Sequence, residues 1–486
     1  MKAAWHLAVI AVAALIAVAG AMPFAGSWND GSRLATVEAL VDNGTWAIDD
    51  SIFLCVPDAE PFPYPPPFDA EVFSTGTCDR LRIGDHWYSD KSPVPAVWLA
   101  GCYWLLQVTT GLTAASDVRA FCRWMTLLSS GLAYVVAVSS IFRLGGPLGL
   151  DLRTRLLLMA SFALSTVAVP YVRFTNNHML LLGVASATVV ELAWLAESGA
   201  TVGRLLRLGT LLGVGYTIDL GAGPVLLVTS ACLIAYRHPR PLGWLLCAIA
   251  GLPWIALHHW LNWRIGGTLG PANAVAEYLM WPGSPFSAET MTGGWKHDSV
   301  RRFALYAFDM LVGKKGFLGH NLALFLALPA ALWYCKKAHR WQSVGKPEML
   351  YCLAASAAIW LVYAASSNNL AGACVSIRWF VPLLAPGYFA LAMLLRERPD
   401  LCRDFAMLSV WGAGLAASMW QVGPWKYRMV PGYWLFVAGA LATWGGVRAY
   451  THVTGSRSAA LAVTDKPGHF AARRAASSST PKRSVA

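Results

Sequence analysis

"GSWNDGSRLATVEALVDNGTW", residues 26–46, comes directly after the first long apolar segment of the chain. Its apolar side chains recur at helical spacing, which predicts a helix over residues 32–43. Gly44 supplies the stop signal, because glycine readily leaves the helical conformation. The side chains that define the apolar face of this predicted helix are Leu34, Val37, Leu40 and Val41.

Charged side chains occupy the other face of the predicted helix. Arg33, Glu38 and Asp42 are on this face, so the helix is expected to lie flat on a membrane with its charged side in water. Asp30 is then at the corner between the apolar segment and the helix, at the depth of the lipid headgroups. Two interpretations of this carboxylate are open: a helix-capping acid, or a catalytic acid directed at a lipid headgroup.

The composition is that of a membrane protein. Of the 486 residues, 56% are hydrophobic and 13% are charged, whereas soluble domains carry about 25% charged residues. A net charge of +12 would also suit a nucleic-acid-binding protein. However, Lys and Arg form short clusters between apolar segments and in the last stretch of chain, which fits cationic cytoplasmic loops and excludes a nucleic-acid partner.

The chain is predicted to be an all-α polytopic membrane protein with about 12 spans. A span needs about 20 residues, so the shorter segments are expected to be tilted or broken. The glycine-rich "GVGYTIDLGAGP" predicts such a break near a membrane face. The apolar segments lie near residues 1–22, 121–142, 156–169, 179–197, 205–218, 220–236, 242–260, 320–335, 349–366, 378–395, 405–421 and 432–450.

The stretch "PVPAVWLAGCYWLLQVTTG", residues 93–111, decides the orientation of all later segments. If it lies in the interface without crossing, the short inner loops from residue 143 to residue 403 hold 14 Lys and Arg, and the short outer loops hold four. This asymmetry follows the positive-inside rule. It predicts a multi-pass protein of the inner or plasma membrane with both termini in the cytoplasm.

Two long loops are then external, and they differ in charge. Residues 24–118 hold 13 of the 26 acidic residues, whereas residues 261–319 are basic. An acidic and a basic loop on one membrane face are expected to form one site, with acids for proton transfer and cations for a phosphate. Residues 1–450 are therefore the predicted catalytic membrane domain. The basic, Ser/Ala-rich tail 451–486 is predicted to be a disordered contact with the inner leaflet.

The ten cysteines show no CxxC pair and no metal-ligand spacing. Most lie in apolar segments, where cysteine is a packing residue. Cys55 and Cys78 fall in the first external loop, where a disulfide between them is predicted. No spacing of carboxylates specifies a cation, so no cofactor is predicted and the involvement of a divalent cation stays open.

Several short motifs resemble the GT-C superfamily of membrane glycosyltransferases, which includes the protein O-mannosyltransferases and the aminoarabinose transferases of lipid A. They are the acid at Asp30, the following helix ending in "LVDNGTWAID", and "DHWYSDKSPVPAVWLA". Many family members open a helix with K-P-P at this last motif. This chain has Lys91, Ser92 and Pro93 instead, so it departs at one position.

Two later segments continue the resemblance. "YVRFTNNHMLLLG" is in the second external loop, where relatives often carry an aspartate. Asn176, Asn177 and His178 take that place here, which leaves a two-carboxylate mechanism without its second acid. "SIRWFVPLLAPGYFALA", which contains Arg378, is similar to the family's segment of Arg, aromatic residue and Pro.

The resemblance implies a GT-C-like fold and transfer of a sugar from a polyprenyl-phosphate-linked donor to a lipid, glycan or protein acceptor outside the cytoplasm. Displacement at an anomeric carbon passes through an oxocarbenium-like state. Asp30 would take the acceptor's proton, and fixed cations would stabilise the leaving phosphate. The predicted phosphate ligands are Lys314, Lys315 and Arg378, then Arg301 and Arg302; the other predicted substrate-binding residues are Asp90, Lys91, Asn177 and His178.

Structural interpretations of these residues remain open at this point. Lys314 and Lys315 precede an apolar segment and would equally serve as headgroup anchors, and Arg378 would snorkel at a helix end. Asp219, in the turn "TIDLG", is interpreted as a helix cap. The alternative functions are a flippase or transporter of lipid-linked sugars, a ligase or polymerase of lipid-linked glycans, and a non-catalytic assembly factor. The long acidic first loop favours the glycosyltransferase.

Overall fold

The computed structural model describes residues 5–54, 76–336, 343–425 and 429–464, with the backbone alone for 452–464. Within these ranges the chain is a bundle of α-helices joined by turns and by two longer segments. The helices are α1 (Trp5–Gly20), α2 (Trp28–Asp42), α3 (Pro93–Thr110), α4 (Val118–Leu144), α5 (Leu152–Leu164), α6 (Asn177–Ser198), α7 (Val202–Ile218), α8 (Ala222–Arg237), α9 (Pro241–Gly266), α10 (Val300–Val312), α11 (Ala327–Lys336), α12 (Lys346–Ser366), α13 (Leu384–Glu397), α14 (Cys402–Val422) and α15 (Tyr433–Thr464).

Shorter helical segments complete the bundle. Helix α4 contains a π-helical turn, and three helices are preceded by a 3₁₀ turn that continues their direction. These segments are the π turn Leu127–Gly131, the 3₁₀ turns Leu322–Leu326 before α11, Arg378–Leu383 before α13 and Pro399–Leu401 before α14, the isolated 3₁₀ turn Ala272–Ala274, and the one-turn helices Ala168–Tyr171 and Ala276–Leu279.

Every apolar segment predicted from hydropathy lies on a helix, which confirms the helical membrane architecture. Across the described ranges, six helices are long and apolar enough to cross a membrane: α4, α6, α9, α12, and α13 and α14 with their 3₁₀ turns. Three further apolar helices are shorter, and they include α1 and α8. Helix α3, which covers the stretch 93–111, is not among either group. The number of 12 spans and the orientation of the chain stay predictions.

Helix α2 begins earlier than its hydrophobic pattern predicts. It starts at Trp28, so Asp30 lies in its first turn and not at a corner before it. It ends at Asp42, and Gly44 follows with φ of +65°, which confirms the predicted stop. Residues 29–39 are all buried, since α3 and the loop around residue 51 pack against them. The prediction that the charged side of this helix faces water is therefore wrong, and its flat orientation on the membrane stays a prediction.

The charged residues on the predicted water-facing side of α2 are held by specific donors. Glu38 accepts a hydrogen bond from Ser51 Oγ at 2.5 Å. Asp42 accepts hydrogen bonds from the Tyr103 hydroxyl at 2.8 Å and from Gln107 Nε2 at 2.8 Å. These donors come from distant loop and helix positions, which is why periodicity along α2 does not reveal them.

A small β-hairpin of the first long loop packs against the second long loop. Strands β1 (Arg80–Ile83) and β2 (His86–Ser89) are antiparallel. Leu81 of β1 packs in one apolar cluster with Ala272 and Leu279 of the second loop. The acidic and basic loops therefore meet, at the end of the bundle that we call the hairpin end.

The glycine-rich break places an acid between two helices. Helix α7 ends at Ile218 and α8 begins at Ala222, which confirms the break predicted from "GVGYTIDLGAGP". Helix α7 also packs closely on α9: a Cβ atom on Gly209 would lie 2.2 Å from the Cys247 carbonyl oxygen. Only glycine permits this approach of two helix backbones.

Two predictions fall at the edges of the described ranges. Helix α15 continues to Thr464, so the predicted disordered tail begins with helix, and residues 465–486 lie outside the described residues. Cys55 of the predicted disulfide also lies outside them. The chain divides into two compact units, residues 1–437 and 438–486, and the contacts below belong to the first.

Candidate active site

Two loop carboxylates and a lysine form one half of a charged cluster at the hairpin end. Lys91 Nζ donates to Asp79 Oδ2 at 2.7 Å and to Asp90 Oδ2 at 2.8 Å. Asp90 Oδ1 also accepts a hydrogen bond from Ser32 Oγ of α2 at 3.3 Å. Burial raises the pKa of Asp90, while the charge of Lys91 acts in the opposite direction. The structure brings the predicted residues Asp90 and Lys91 together and adds Asp79 to them.

Asp219 forms the other half and connects three helices. It caps α8, because it accepts a hydrogen bond from the Ala222 backbone N–H at 2.9 Å. It also accepts from Asn177 Nδ2 at 2.8 Å and from the Tyr363 hydroxyl. His178 Nδ1 is 3.5 Å from Asp219 Oδ2, an ion-pair distance at which no hydrogen bond forms. The predicted cap is confirmed, and the same carboxylate lies against both residues predicted from the second external loop.

Two arginines face this cluster, and we call them the arginine pair. Arg33 of α2 is 6% exposed, and its Nε has no hydrogen-bond partner among the described residues. Its charge is attracted by Asp90 and Asp219 and opposed by Arg378. The Arg378 guanidinium lies 5.7 Å from the ring centroid of Trp425, and its Nε also has no partner within the described ranges. Burial lowers the pKa of Arg33 to about 10, so it stays a cation at neutral pH.

Several buried polar atoms at the hairpin end have no hydrogen-bond partner among the described residues. Such atoms are rare in folded proteins, and each costs roughly 1–3 kcal/mol. A concentration of them on converging elements therefore indicates a site that binds a polar ligand. The atoms at the hairpin end that lack a partner within the described chain include Arg33 Nε, Asn177 Oδ1, His178 Nδ1, Ser376 Oγ and Arg378 Nε.

A narrow cleft opens between α2, the Lys91 turn and the start of α3. Cationic and hydroxyl groups line it together with aliphatic side chains. Such a lining suits a ligand with an anionic group attached to hydrocarbon. The polar lining residues are Arg33, Thr36, Ser89, Lys91, Ser92 and Thr175, and the apolar ones are Pro95, Ala96, Leu99 and Leu180.

Asp30 lies one helical turn before Arg33 on α2. Its carboxylate turns back toward the chain that enters the helix, accepting hydrogen bonds from the Gly26 backbone N–H at 2.5 Å and from the Ser27 hydroxyl. Burial raises the pKa of Asp30 to about 7, although these hydrogen bonds lower it. In this conformation Asp30 ties down the start of α2 and is poised to exchange a proton near neutral pH.

The two predicted lysines differ in their surroundings. The carbonyl oxygen of Lys315 accepts a hydrogen bond from the Ile377 backbone N–H at 3.1 Å, which brings this segment beside Arg378. Lys315 Nζ donates to the Gly372 carbonyl oxygen at 2.6 Å. Lys314 is exposed.

The predicted cations on α10 lie apart from the cluster. Arg301 and Arg302 are exposed at the start of this helix, and Arg302 pairs with Asp298 four residues before it. The buried side of α10 packs on α12, where Trp360 Nε1 donates to the Ala307 carbonyl oxygen at 2.9 Å. This packing fixes α10 with its first turn in solvent.

Sequence reasoning missed four members of the site. Arg33 was assigned to a solvated face, because the periodicity of α2 could not show that its polar side is buried. Asp79 and Tyr363 come from segments without a recognisable motif. The sequence did give an indication of Asp219. An acid in a short turn between two apolar segments has a high free-energy cost near a membrane, so such a residue usually has a function.

The described residues contain no group of three or more His, Cys, Asp and Glu side chains arranged to hold a metal ion. The carboxylates that lie closest together already have partners, because Asp79 and Asp90 share Lys91. What the arrangement does offer is anion binding by the arginine pair and proton exchange by buried carboxylates.

A helical membrane bundle with such a site at one end is a recognisable class of architecture. The sequence matches no protein-family model and no curated protein sequence. The structure is similar to that of ArnT from Cupriavidus metallidurans bound to undecaprenyl phosphate, with a TM-score of 0.50 and 15% identity over 90% of this chain and 76% of ArnT. The chain therefore has the GT-C fold, as its motifs predict.

A second similarity is weaker. The oligosaccharyltransferase AglB from Archaeoglobus fulgidus, in complex with an inhibitory peptide and a dolichol-phosphate, gives a TM-score of 0.45 and 15% identity over 90% of this chain. The matched part is 56% of AglB. The ArnT similarity alone assigns the fold.

Proposed function

We propose that this multi-pass membrane protein is a glycosyltransferase that moves a sugar from a polyprenyl-phosphate-linked donor to an acceptor on the external face of the membrane. The GT-C fold supports the class of enzyme. The ArnT structure with undecaprenyl phosphate supports the class of donor. The acceptor is a lipid, a glycan or a protein.

The observation that carries this proposal is the arginine pair beside an apolar wall. Arg33 and Arg378 both have an Nε without a partner in the described chain, and guanidinium groups bind phosphate through paired N–H donors. Leu99 and Leu180 line the same cleft as Arg33. A phosphate on the arginines would therefore place the attached isoprenoid chain against hydrocarbon.

The chemistry requires one proton acceptor and one stabilised leaving group. The acceptor's oxygen attacks the anomeric carbon, the bond between that carbon and the phosphate oxygen breaks, and polyprenyl phosphate leaves. The arginine pair stabilises the charge that develops on this phosphate. Asp30 takes the proton of the acceptor hydroxyl, and a pKa of about 7 suits a general base at neutral pH.

To accept this proton, the Asp30 carboxylate has to give up its hydrogen bond from the Gly26 N–H or from the Ser27 hydroxyl. Substrate binding in the cleft gives a reason for the release, because a phosphate on Arg33 changes the charge one turn away on α2. In this proposal Asp90, Lys91, Asn177 and His178 hold the donor sugar through their polar groups. Lys315 is a further phosphate ligand beside Arg378, and the exposed Lys314, Arg301 and Arg302 attract the anionic donor without fixing it.

The experiment measures donor binding and sugar transfer separately. Native mass spectrometry of the purified protein with undecaprenyl phosphate should show a bound lipid, and Arg33→Gln and Arg378→Gln should each reduce its occupancy. Arg153→Gln is the matched control, since it removes the same charge from an exposed position outside the proposed site. Equal occupancy in all four proteins would overturn the assigned phosphate site.

Transfer is then followed in liposomes with a labelled polyprenyl-phosphate sugar. Movement of label to an acceptor supports the glycosyltransferase, and movement of the unchanged lipid across the bilayer supports a flippase. Comparing cell-envelope glycans with and without the protein, by mass, identifies the sugar and the acceptor.

A further inference from the structure

A second arginine cluster lies at the opposite end of α6 from Asn177. Glu191 is about 21 Å further along this helix, at 1.5 Å per residue. Its carboxylate is 3.1 Å from Arg207 NH2, 3.7 Å from Arg204 Nε and 3.8 Å from Arg143 NH2. Three cations from α4 and α7 thus surround one carboxylate of α6.

With three arginines and one glutamate, the cluster has two formal positive charges that no carboxylate within it compensates. The neighbouring pair of Arg237 and Glu348 is balanced, with two hydrogen bonds of 2.6 and 2.7 Å. The side chains of Arg143 and Arg207 are 60% and 58% exposed, so they are accessible from the surface. Arg204 is 12% exposed, and its Nε has no hydrogen-bond partner among the described residues.

The positive-inside rule explains arginines at this end of the bundle but not their convergence. Arginines that only face a membrane surface would spread apart, because like charges repel and each side chain gains entropy in water. Here the buried Glu191 gathers three of them. Trp194, on the same helix, packs against the turn after α4: a Cβ atom on Gly146 would lie 3.0 Å from its ring. Tryptophan is enriched at the level of lipid headgroups.

We infer that the arginine cluster at the ends of α4, α6 and α7 binds the phosphate headgroup of an anionic phospholipid. Arg143 and Arg207 contact the phosphate from the surface, and Arg204 supplies the buried N–H donor. A phosphodiester carries one negative charge and several acceptor oxygens, which offsets part of the excess charge. Basic pockets between membrane helices bind such headgroups.

The test uses the full-length protein in detergent with phosphatidylglycerol as the probe. Native mass spectrometry should show bound phosphatidylglycerol and much less phosphatidylcholine. Replacing both surface arginines, Arg143→Gln with Arg207→Gln, should lower the affinity about a hundredfold, since each charge-assisted contact contributes roughly a factor of ten. The control is Arg153→Gln with Arg240→Gln, which removes the same charge from exposed positions at the same end.

Three results would overturn the inference. They are equal binding by the double variant and the parent, an equal loss in the control pair, and equal occupancy by phosphatidylcholine. If inorganic phosphate competes with the lipid at similar concentration, the site takes a soluble anion and not a headgroup. Thermal unfolding without lipid should be similar for both double variants, which shows that a loss of binding is not a loss of fold.

Discussion

The arginine pair at the hairpin end and the Arg237–Glu348 pair at the opposite end treat buried charge in opposite ways. At the end opposite the hairpin, Arg237 and Glu348 satisfy each other through paired hydrogen bonds. At the hairpin end, Arg33 and Arg378 have Nε atoms without partners in the described chain, although carboxylates lie nearby. A closed ion pair holds helices together, whereas a cation left open is available to a ligand. The difference separates structural charge from functional charge without reference to sequence motifs.

The largest expected effect is on sugar transfer at the hairpin end. Asp30→Asn keeps the shape of the side chain and removes its capacity to accept a proton. Loss of a positioned general base typically slows a reaction about 10²–10⁴-fold. Labelled-sugar transfer should fall by that factor, while binding of undecaprenyl phosphate stays close to that of the parent.

Asp90→Asn is the informative counterpart to Asp30→Asn. It removes another buried carboxylate, one whose partner is Lys91. Full transfer by Asp30→Asn together with a large loss in Asp90→Asn would move the role of base to Asp90. The parent's rate should also rise with pH through about 7, as Asp30 loses its proton.

The next effect is on stability at the opposite end. Glu348→Gln breaks the closed pair and leaves the charge of Arg237 uncompensated in a mostly buried position. Breaking a buried pair by removing one partner costs about 3 kcal/mol or more. Thermal or denaturant unfolding in detergent should show this loss. An unchanged midpoint would mean that the two ends do not differ as described.

Arg33→Gln should affect lipid binding and not stability, in contrast to Glu348→Gln. Undecaprenyl phosphate binding is expected to fall about tenfold to a hundredfold, because a charge-assisted contact of roughly 1.5–3 kcal/mol is lost. Stability should stay the same or rise, since the substitution removes a buried charge that lacks a full set of partners. A destabilised variant with normal lipid binding would make Arg33 a structural residue.

A smaller effect concerns pH and Glu38. Burial raises the pKa of Glu38 from 4.5 to about 7, so the folded protein binds a proton that the unfolded chain has already lost between these values. Stability from this group is therefore fully present below pH 4.5 and is lost as the pH rises to about 7. Glu38→Gln should flatten the fall in stability across this window, as measured by unfolding at several pH values.

The smallest effect is expected at the exposed pair on α10. Arg302 and Asp298 both lie in solvent, where ion pairs contribute little. Arg302→Gln should change neither the unfolding midpoint nor the lipid occupancy measurably. A marked loss of donor binding here would extend the site to the surface of the second loop.

Much of the architecture could be predicted from hydropathy alone. A membrane span has to satisfy its own backbone hydrogen bonds, so an apolar segment of sufficient length has few structures open to it. The apolar segments near 121–142 and 179–197 accordingly lie on α4 and α6. The break at Asp219 was also visible, because glycine clusters interrupt helices.

The arrangement of the site could not be predicted in the same way. Glu38 and Arg33 lie on one helix, yet their burial depends on partners far away in sequence, such as Ser51 and the Asp219 turn. Periodicity reports only which residues share a face, not what packs against that face. The carbonyl and carboxylate contacts of Lys315 and Lys91 likewise arise from tertiary structure. The motifs therefore selected residues that the structure brings together in part, but they assigned the wrong environment to α2.

The arginine pair also has a consequence for the order of synthesis. Arg33 belongs to the first helix after α1, whereas Arg378 precedes α13. Arg33 is made 345 residues before Arg378, and the hairpin can complete its packing only after Ala272 and Leu279 have been made. A nascent chain halted in its middle would contain Arg33 but not Arg378. The arginine pair is thus complete only after most of the chain has been made, so we expect a product truncated before Arg378 to lack the proposed phosphate site.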